Sequence, residues 1–113
     1  MDAELVSLRI DFIIKHIDLA MSDLSNIEIE DFGENSLLAR AVSFSLEQVC
    51  EHVSKLRRKL DNDNANVPWD EIYATRILLA HMYTKVDVKK IYRIVKNDLP
   101  PLKKQLLEIK TNL

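Results

Sequence analysis

Glycine occurs once, proline three times and cysteine once in the 113 residues of the chain. A sheet protein of this size needs several tight turns built on Gly, Asn-Gly or Pro. Their shortage argues against a β architecture and for long helices joined by few connections. The lone Cys50 cannot close an internal disulfide and lies in an apolar stretch, which predicts a reduced, buried structural thiol. Long hydrophobic runs are missing as well. Stretches such as Phe12-Ile13-Ile14 fall far short of the roughly 20 apolar residues that span a bilayer, so no membrane contact is expected. The opening Met-Asp-Ala-Glu has no basic segment ahead of an apolar one, so no signal peptide is visible and a cytoplasmic protein is expected.

What is present is a globular balance, with 47% apolar and 30% charged residues, enough for a modest core in one domain over residues 1–113. The net charge of −2 conceals an asymmetry. Residues 1–54 carry 3 Lys/Arg against 11 Asp/Glu, a balance of −8, and residues 55–113 carry 13 against 7, a balance of +6. Either the two halves neutralise each other within one bundle, or the basic half attracts a polyanion.

Apolar spacing predicts a first helix from about Ala3 to Leu24, with Leu5, Leu8, Phe12, Ile13, Ile17, Ala20 and Leu24 on one stripe. A polar link runs from Ser25 to Glu34. Within it Ile27-Glu28-Ile29-Glu30 alternates like a strand but has no partner, so it reads as linker. Asn35 or Ser36 can cap a second helix carrying Leu37, Leu38, Ala41, Phe44, Val49, Val53, Leu56 and Leu60. Asp61-Asn62-Asp63-Asn64 ends it. This stretch is no calcium loop, because Asn66 replaces the required Gly and Ile72 the bidentate Glu. Pro68-Trp69-Asp70-Glu71 opens a third helix reaching about His81 or Tyr83. Asp87 caps a fourth, with Val88, Ile91, Tyr92, Val95 and Leu99 inward, which Pro100-Pro101 should break. Leu102, Leu106, Ile109 and Leu113 face one way on a short last helix. The expected fold is all-α: an antiparallel four-helix bundle with a short additional C-terminal helix.

Chemistry-bearing residues are sparse. No two of the three His have the short spacing of a helical metal pair, and no Gly-rich phosphate loop or nucleophile motif is present, so neither metal nor cofactor is expected. His16 and His52 read as partly exposed helix residues. What remains is Arg76-x4-His81. His is the side chain whose ordinary pKa lies nearest neutrality, suited to passing protons. A guanidinium holds a phosphate through paired hydrogen bonds.

In order, Pro68-Trp69, Arg76-x4-His81-x-Tyr83, Val86-Asp87 and Asn97-Asp98-Leu99-Pro100-Pro101-Leu102-Lys103 resemble the HepT-like toxins of the HEPN superfamily, helical ribonucleases of prokaryotic toxin–antitoxin pairs. The resemblance extends over nearly the whole chain. Leu46-Glu47-Gln48-Val49-Cys50-Glu51 fits the family's second-helix segment, with Cys50 where a Gly is usual and Glu51 retained. It implies metal-independent RNA cleavage, with the ribose 2′-hydroxyl attacking the adjacent phosphorus, Arg76 as phosphate clamp and His81 as catalytic base or acid. It also implies a type II/VII-like toxin–antitoxin pair in which a cognate nucleotidyltransferase silences the toxin, with Tyr83 as the candidate for adenylylation. Tyr83 otherwise packs at the bundle end or stacks on a base.

Geometry adds a condition. Residues five apart on an ideal helix differ by about 140° in direction and about 7.5 Å in rise, so one straight helix cannot aim Arg76 and His81 at one atom. Either the helix ends or distorts near His81, or two subunits share the site, and the resemblance implies the second, a homodimer. Lys85, Lys89, Arg93 and Lys96 follow at near-helical spacing, as an RNA-binding stripe or an ordinary solvated face. Two positions depart from the family pattern. Ile77 stands where a polar residue usually follows the Arg, and Met82 where a small or polar residue often follows the His. Ile77 cannot hydrogen-bond to phosphate, which leaves open a catalytically degenerate subunit that binds a nucleotidyltransferase without cutting RNA.

Overall fold

Asp2 starts the first helix: its carboxylate accepts from the backbone N–H of Glu4 at 3.0 Å and of Leu5 at 3.4 Å, satisfying donors that the first turn leaves open. The computed structural model describes residues 2–33, 36–60, 67–80 and 88–113, apart from the side chains of Ser36 and Ala80. The elements are α1 (Ala3–Asp23), α2 (Ile29–Phe32), α3 (Ser36–Arg57), α4 (Trp69–Ala80), α5 (Val88–Arg93), a π-helical segment (Ile94–Asp98) and α6 (Leu99–Thr111). The predicted caps Asn35 and Asp87 lie outside the described residues.

Side-chain pairs set the antiparallel order. Arg9 meets His52 while His16 meets Phe44, so α3 runs against α1. Lys103 meets Asp18 at 2.7 Å and Lys110 meets Asp11 at 2.5 Å, so α6 also runs against α1. Arg57 lies by Trp69 at the start of α4, while Arg76 near its end acts on Cys50, seven residues earlier in α3. The result is an all-α bundle of α1, α3, α4 and the α5–α6 run. The Lys103 and Lys110 pairs join the acidic half to the basic half, as charge balance within one bundle requires. Being surface pairs, they are each worth about 0–1 kcal/mol. No described helix is long and apolar enough to cross a membrane.

Three local readings change. Residues 29–32 form a helical turn rather than a linker, because Phe32 is fully buried against Tyr92, their rings 5.9 Å apart. Tyr92 then donates its hydroxyl to the Ile27 carbonyl at 2.6 Å. Asn26 turns the chain into this segment with φ of 64°, in the left-handed region that Asn tolerates. Second, the double proline interrupts α-helical bonding without ending the run. Pro100 and Pro101 bring no N–H, and the turn before them widens so that the Leu99 N–H bonds back to the Ile94 carbonyl. The backbone stays right-handed through Asp98 and Leu99.

Third, the inward stripe of α1 is Val6, Ile10, Ile13, Ile17, Ala20 and Leu24, whereas Leu5 and Leu8 are more than half exposed. Phe12 lies at the boundary at 36%, and Leu37 and Phe44 on α3 also face out. His16, expected to be partly exposed, is buried instead. It is packed 4.7 Å from Phe12 and 6.0 Å from Phe44, ring centre to ring centre, and its Nδ1 has no hydrogen-bond partner among the described residues.

Burial, and secondarily Lys15, lowers the His16 pKa below its ordinary 6.5. Burial also lowers that of His52, helped by Arg9, Lys55 and His16 and opposed by Glu51. Below pH 6.5 the unfolded chain therefore takes up these protons more readily than the folded one, and stability drops as pH falls from 6.5 toward the lowered values. Thermal melts between about pH 7.5 and about pH 5.5 should show a falling midpoint. His16→Gln should flatten that slope. An equal slope in the variant would assign it to other groups.

Candidate active site

Trp69, Tyr73 and Arg76 follow one another on α4 at i, i+4 and i+7 and so share a face. Antiparallel packing sets the C-terminal part of α3 opposite them. Val53, Ser54, Arg57 and Arg58 from α3, with Trp69, Ile72, Tyr73 and Arg76 from α4, line an open groove of about 190 Å³. Ile72 is buried and Trp69 half-buried, which fixes the floor, while Tyr73 and Arg76 are exposed at the rim. The Arg57 guanidinium lies 5.7 Å from the centre of the Trp69 ring, within cation–π range. It also meets Asp70 at 4.0 Å, the outer limit of an ion pair. Arg58 and Arg76 make no ion pair with any described residue.

Below Arg76 lies Cys50, 2% exposed. Burial pushes its thiol up to about 12; the Arg76 guanidinium works in the opposite direction and Glu47 adds to the rise. A thiol held neutral in this way is no nucleophile. Cys50 instead helps wall a small, mostly apolar cavity where α3, α4 and the π segment converge. Among the described residues no group of His, Cys, Asp and Glu could hold a metal ion.

The predicted residues are distributed as follows. Arg76 is on α4 and open to solvent. His81, Tyr83 and Lys85, with Met82, lie outside the described residues; α4 is described through Ala80. Lys89 and Arg93 are exposed on α5, and neither lines the groove. Lys96 donates its ammonium to the Leu24 carbonyl at 2.9 Å, where a cation suits the C-terminal end of α1, and sits 5.5 Å from the Tyr92 ring centre. Ile77, 46% exposed, adds an apolar side chain beside Arg76. Arg57, Arg58, Trp69 and Tyr73 were not singled out from sequence as site residues, although the Trp69-x3-Tyr73-x2-Arg76 spacing could have marked the α4 half.

Comparison with known proteins identifies the family. The family described as "Ribonuclease HepT-like" matches residues 13–109. "Putative RNase TTE0752" of Caldanaerobacter subterraneus subsp. tengcongensis is 31% identical over 100 residues, covering 88% of this chain and 89% of that protein. "Putative RNase MJ1216" of Methanocaldococcus jannaschii is 28% identical, covering 86% and 80%. "Probable ribonuclease HepT" of Thermococcus cleftensis is 30% identical, covering 80% and 83%. No solved structure gives a significant match. With the family match running from the middle of α1 into the last turn of α6, and relatives about 30% identical over most of their length, the chain belongs to the HepT-like ribonuclease family of the HEPN superfamily.

Proposed function

We propose that the protein is the toxin of a toxin–antitoxin pair, a homodimeric endoribonuclease that works without a metal ion. The observation that carries this reading is the Arg76 guanidinium, exposed on α4 of a HepT-like chain and free of any ion pair with described residues. Its work is to hold the phosphate as charge builds on the non-bridging oxygens. His81 takes the proton of the ribose 2′-hydroxyl or returns one to the leaving oxygen. The 2′-oxygen bonds to phosphorus as the bond to the 5′-oxygen breaks. The products are a 2′,3′-cyclic phosphate end and a 5′-hydroxyl end. Two subunits supply the residues that one helix cannot converge. Incubation with RNA in excess chelator tests the reading. Cleavage leaving cyclic phosphate ends supports it, and dependence on added metal refutes it.

Ile77 favours a second reading, a subunit that binds a nucleotidyltransferase but cuts RNA poorly or not at all. Ile77→Asn should raise cleavage severalfold by restoring a hydrogen-bonding group beside the clamp, at little cost to a half-exposed position. No activity in either protein would favour the binding subunit.

The silencing partner proposed is a nucleotidyltransferase that adenylylates Tyr83. A nucleotide on this hydroxyl adds bulk and a phosphate that competes with RNA for a guanidinium. After co-expression with a cognate nucleotidyltransferase, the intact mass should rise by one or more AMP units in the wild type and stay unchanged in Tyr83→Phe. Equal neutralisation of both proteins without added mass would mean that the partner acts by occlusion.

A further inference from the structure

The α3–α4 groove offers more than a clamp for one phosphate. We propose that it is a single-nucleotide subsite, seating one unpaired RNA base against Trp69 and Tyr73 while Arg57 and Arg58 hold the phosphates beside it. This rests on the reading of Arg76 as the clamp for the scissile phosphate, next to which the subsite lies.

Three observations carry it. The groove of about 190 Å³ is smaller than the roughly 300–1,000 Å³ of pockets for drug-sized ligands, so it suits one planar ring and not a duplex. Its aromatic wall has both a fixed and an open element: Trp69 is half-buried and Tyr73 is 57% exposed. Among the described residues, three guanidinium groups and no carboxylate line this space. Among the described residues the acid meeting Arg57 is Asp70, 4.0 Å away with a fully exposed side chain. Like charges crowded around an open space repel one another until an anion enters. An acidic peptide would satisfy the arginines alone. The aromatic pair favours a base, since stacking on Trp and Tyr, with Arg against the ring, accepts any base and requires a single strand. Sequence-tolerant capture of unpaired RNA next to the cut follows.

Trp69 is the chain's only tryptophan, so it reports on its own site. The probe is a short 2′-O-methyl oligouridylate, which cannot be cut because its attacking hydroxyl is blocked. Binding should change Trp69 fluorescence, and an abasic oligomer with the same number of phosphates should bind about tenfold more weakly without that change. Tyr73→Ala should also cost about tenfold, and Arg58→Gln should lower the salt dependence of binding by about one ion, both with unaltered melting. Unchanged Trp69 fluorescence at saturation overturns the proposal, as does equal binding of the abasic oligomer. Loss of nucleotidyltransferase binding by the groove variants with RNA binding intact would assign the groove to an acidic protein surface, again overturning it. The two readings fail separately. Normal probe binding without any cleavage of unmodified RNA removes the nuclease and keeps the subsite, whereas cleavage indifferent to Tyr73 and Arg58 does the reverse.

Discussion

Arg76→Ala should leave a folded protein with sharply reduced RNA cleavage. The expected loss is about 10²–10³-fold, the range seen when one preorganised donor is removed from a developing oxyanion. The side chain is exposed, and no described residue relies on it for an ion pair. The melting midpoint should therefore move little, within about 0.5 kcal/mol of stability. Arg76→Lys keeps the charge but loses the paired geometry, and should recover only part of the activity. His81→Ala should lose about 10²–10⁴-fold through the proton-transfer step. Cleavage rates on one RNA, with melts of each variant alongside, decide the matter. Full activity in a folded Arg76→Ala protein removes Arg76 from the chemistry.

The second large effect concerns stability. Phe32→Ala should cost about 3–5 kcal/mol, a large part of the roughly 5–15 kcal/mol that holds a domain together. Phe32 is fully buried, and its ring faces Tyr92, whose hydroxyl ties residue 27 to α5. Truncation opens a void at the point where the α1–α3 connection is fastened to the bundle. Phe44→Ala removes an aromatic of the same size at a position 55% exposed and should cost far less. Denaturant midpoints compare the two directly. Near-equal losses would mean that residues 29–32 contribute little to the core.

The helices themselves were legible because apolar spacing marks them and Pro68 opens α4, where its carbonyl accepts from Ile72. Which face turns inward was less so. On α1 the positions Leu5, Leu8 and Phe12 interleave with Val6, Ile10 and Ile13, and both series have helical spacing. Only packing against α3 and α6 selects the second. Residues 27–30 misled for a related reason, since alternation in a short segment says nothing about Phe32 finding a pocket beside Tyr92. At the candidate site, Arg76 stands out through the ordered motifs around it, its spacing to His81 alone being a weak signal. The groove could not, because Arg57 and Trp69 are joined by antiparallel packing rather than by any local pattern.

The π segment also determines which changes in length the fold can accept. Its wide turn takes up one residue more than an α-turn would, over nearly the same rotation and rise. The helix beyond it therefore keeps its phase, and Leu102 and Leu106 face the same interior as Ile91 and Val95. A residue added or removed after it, within the first turns of α6, has no such outlet: everything beyond rotates by about 100° and shifts by about 1.5 Å. Leu106 would then swing out of the core, and Lys110 away from Asp11.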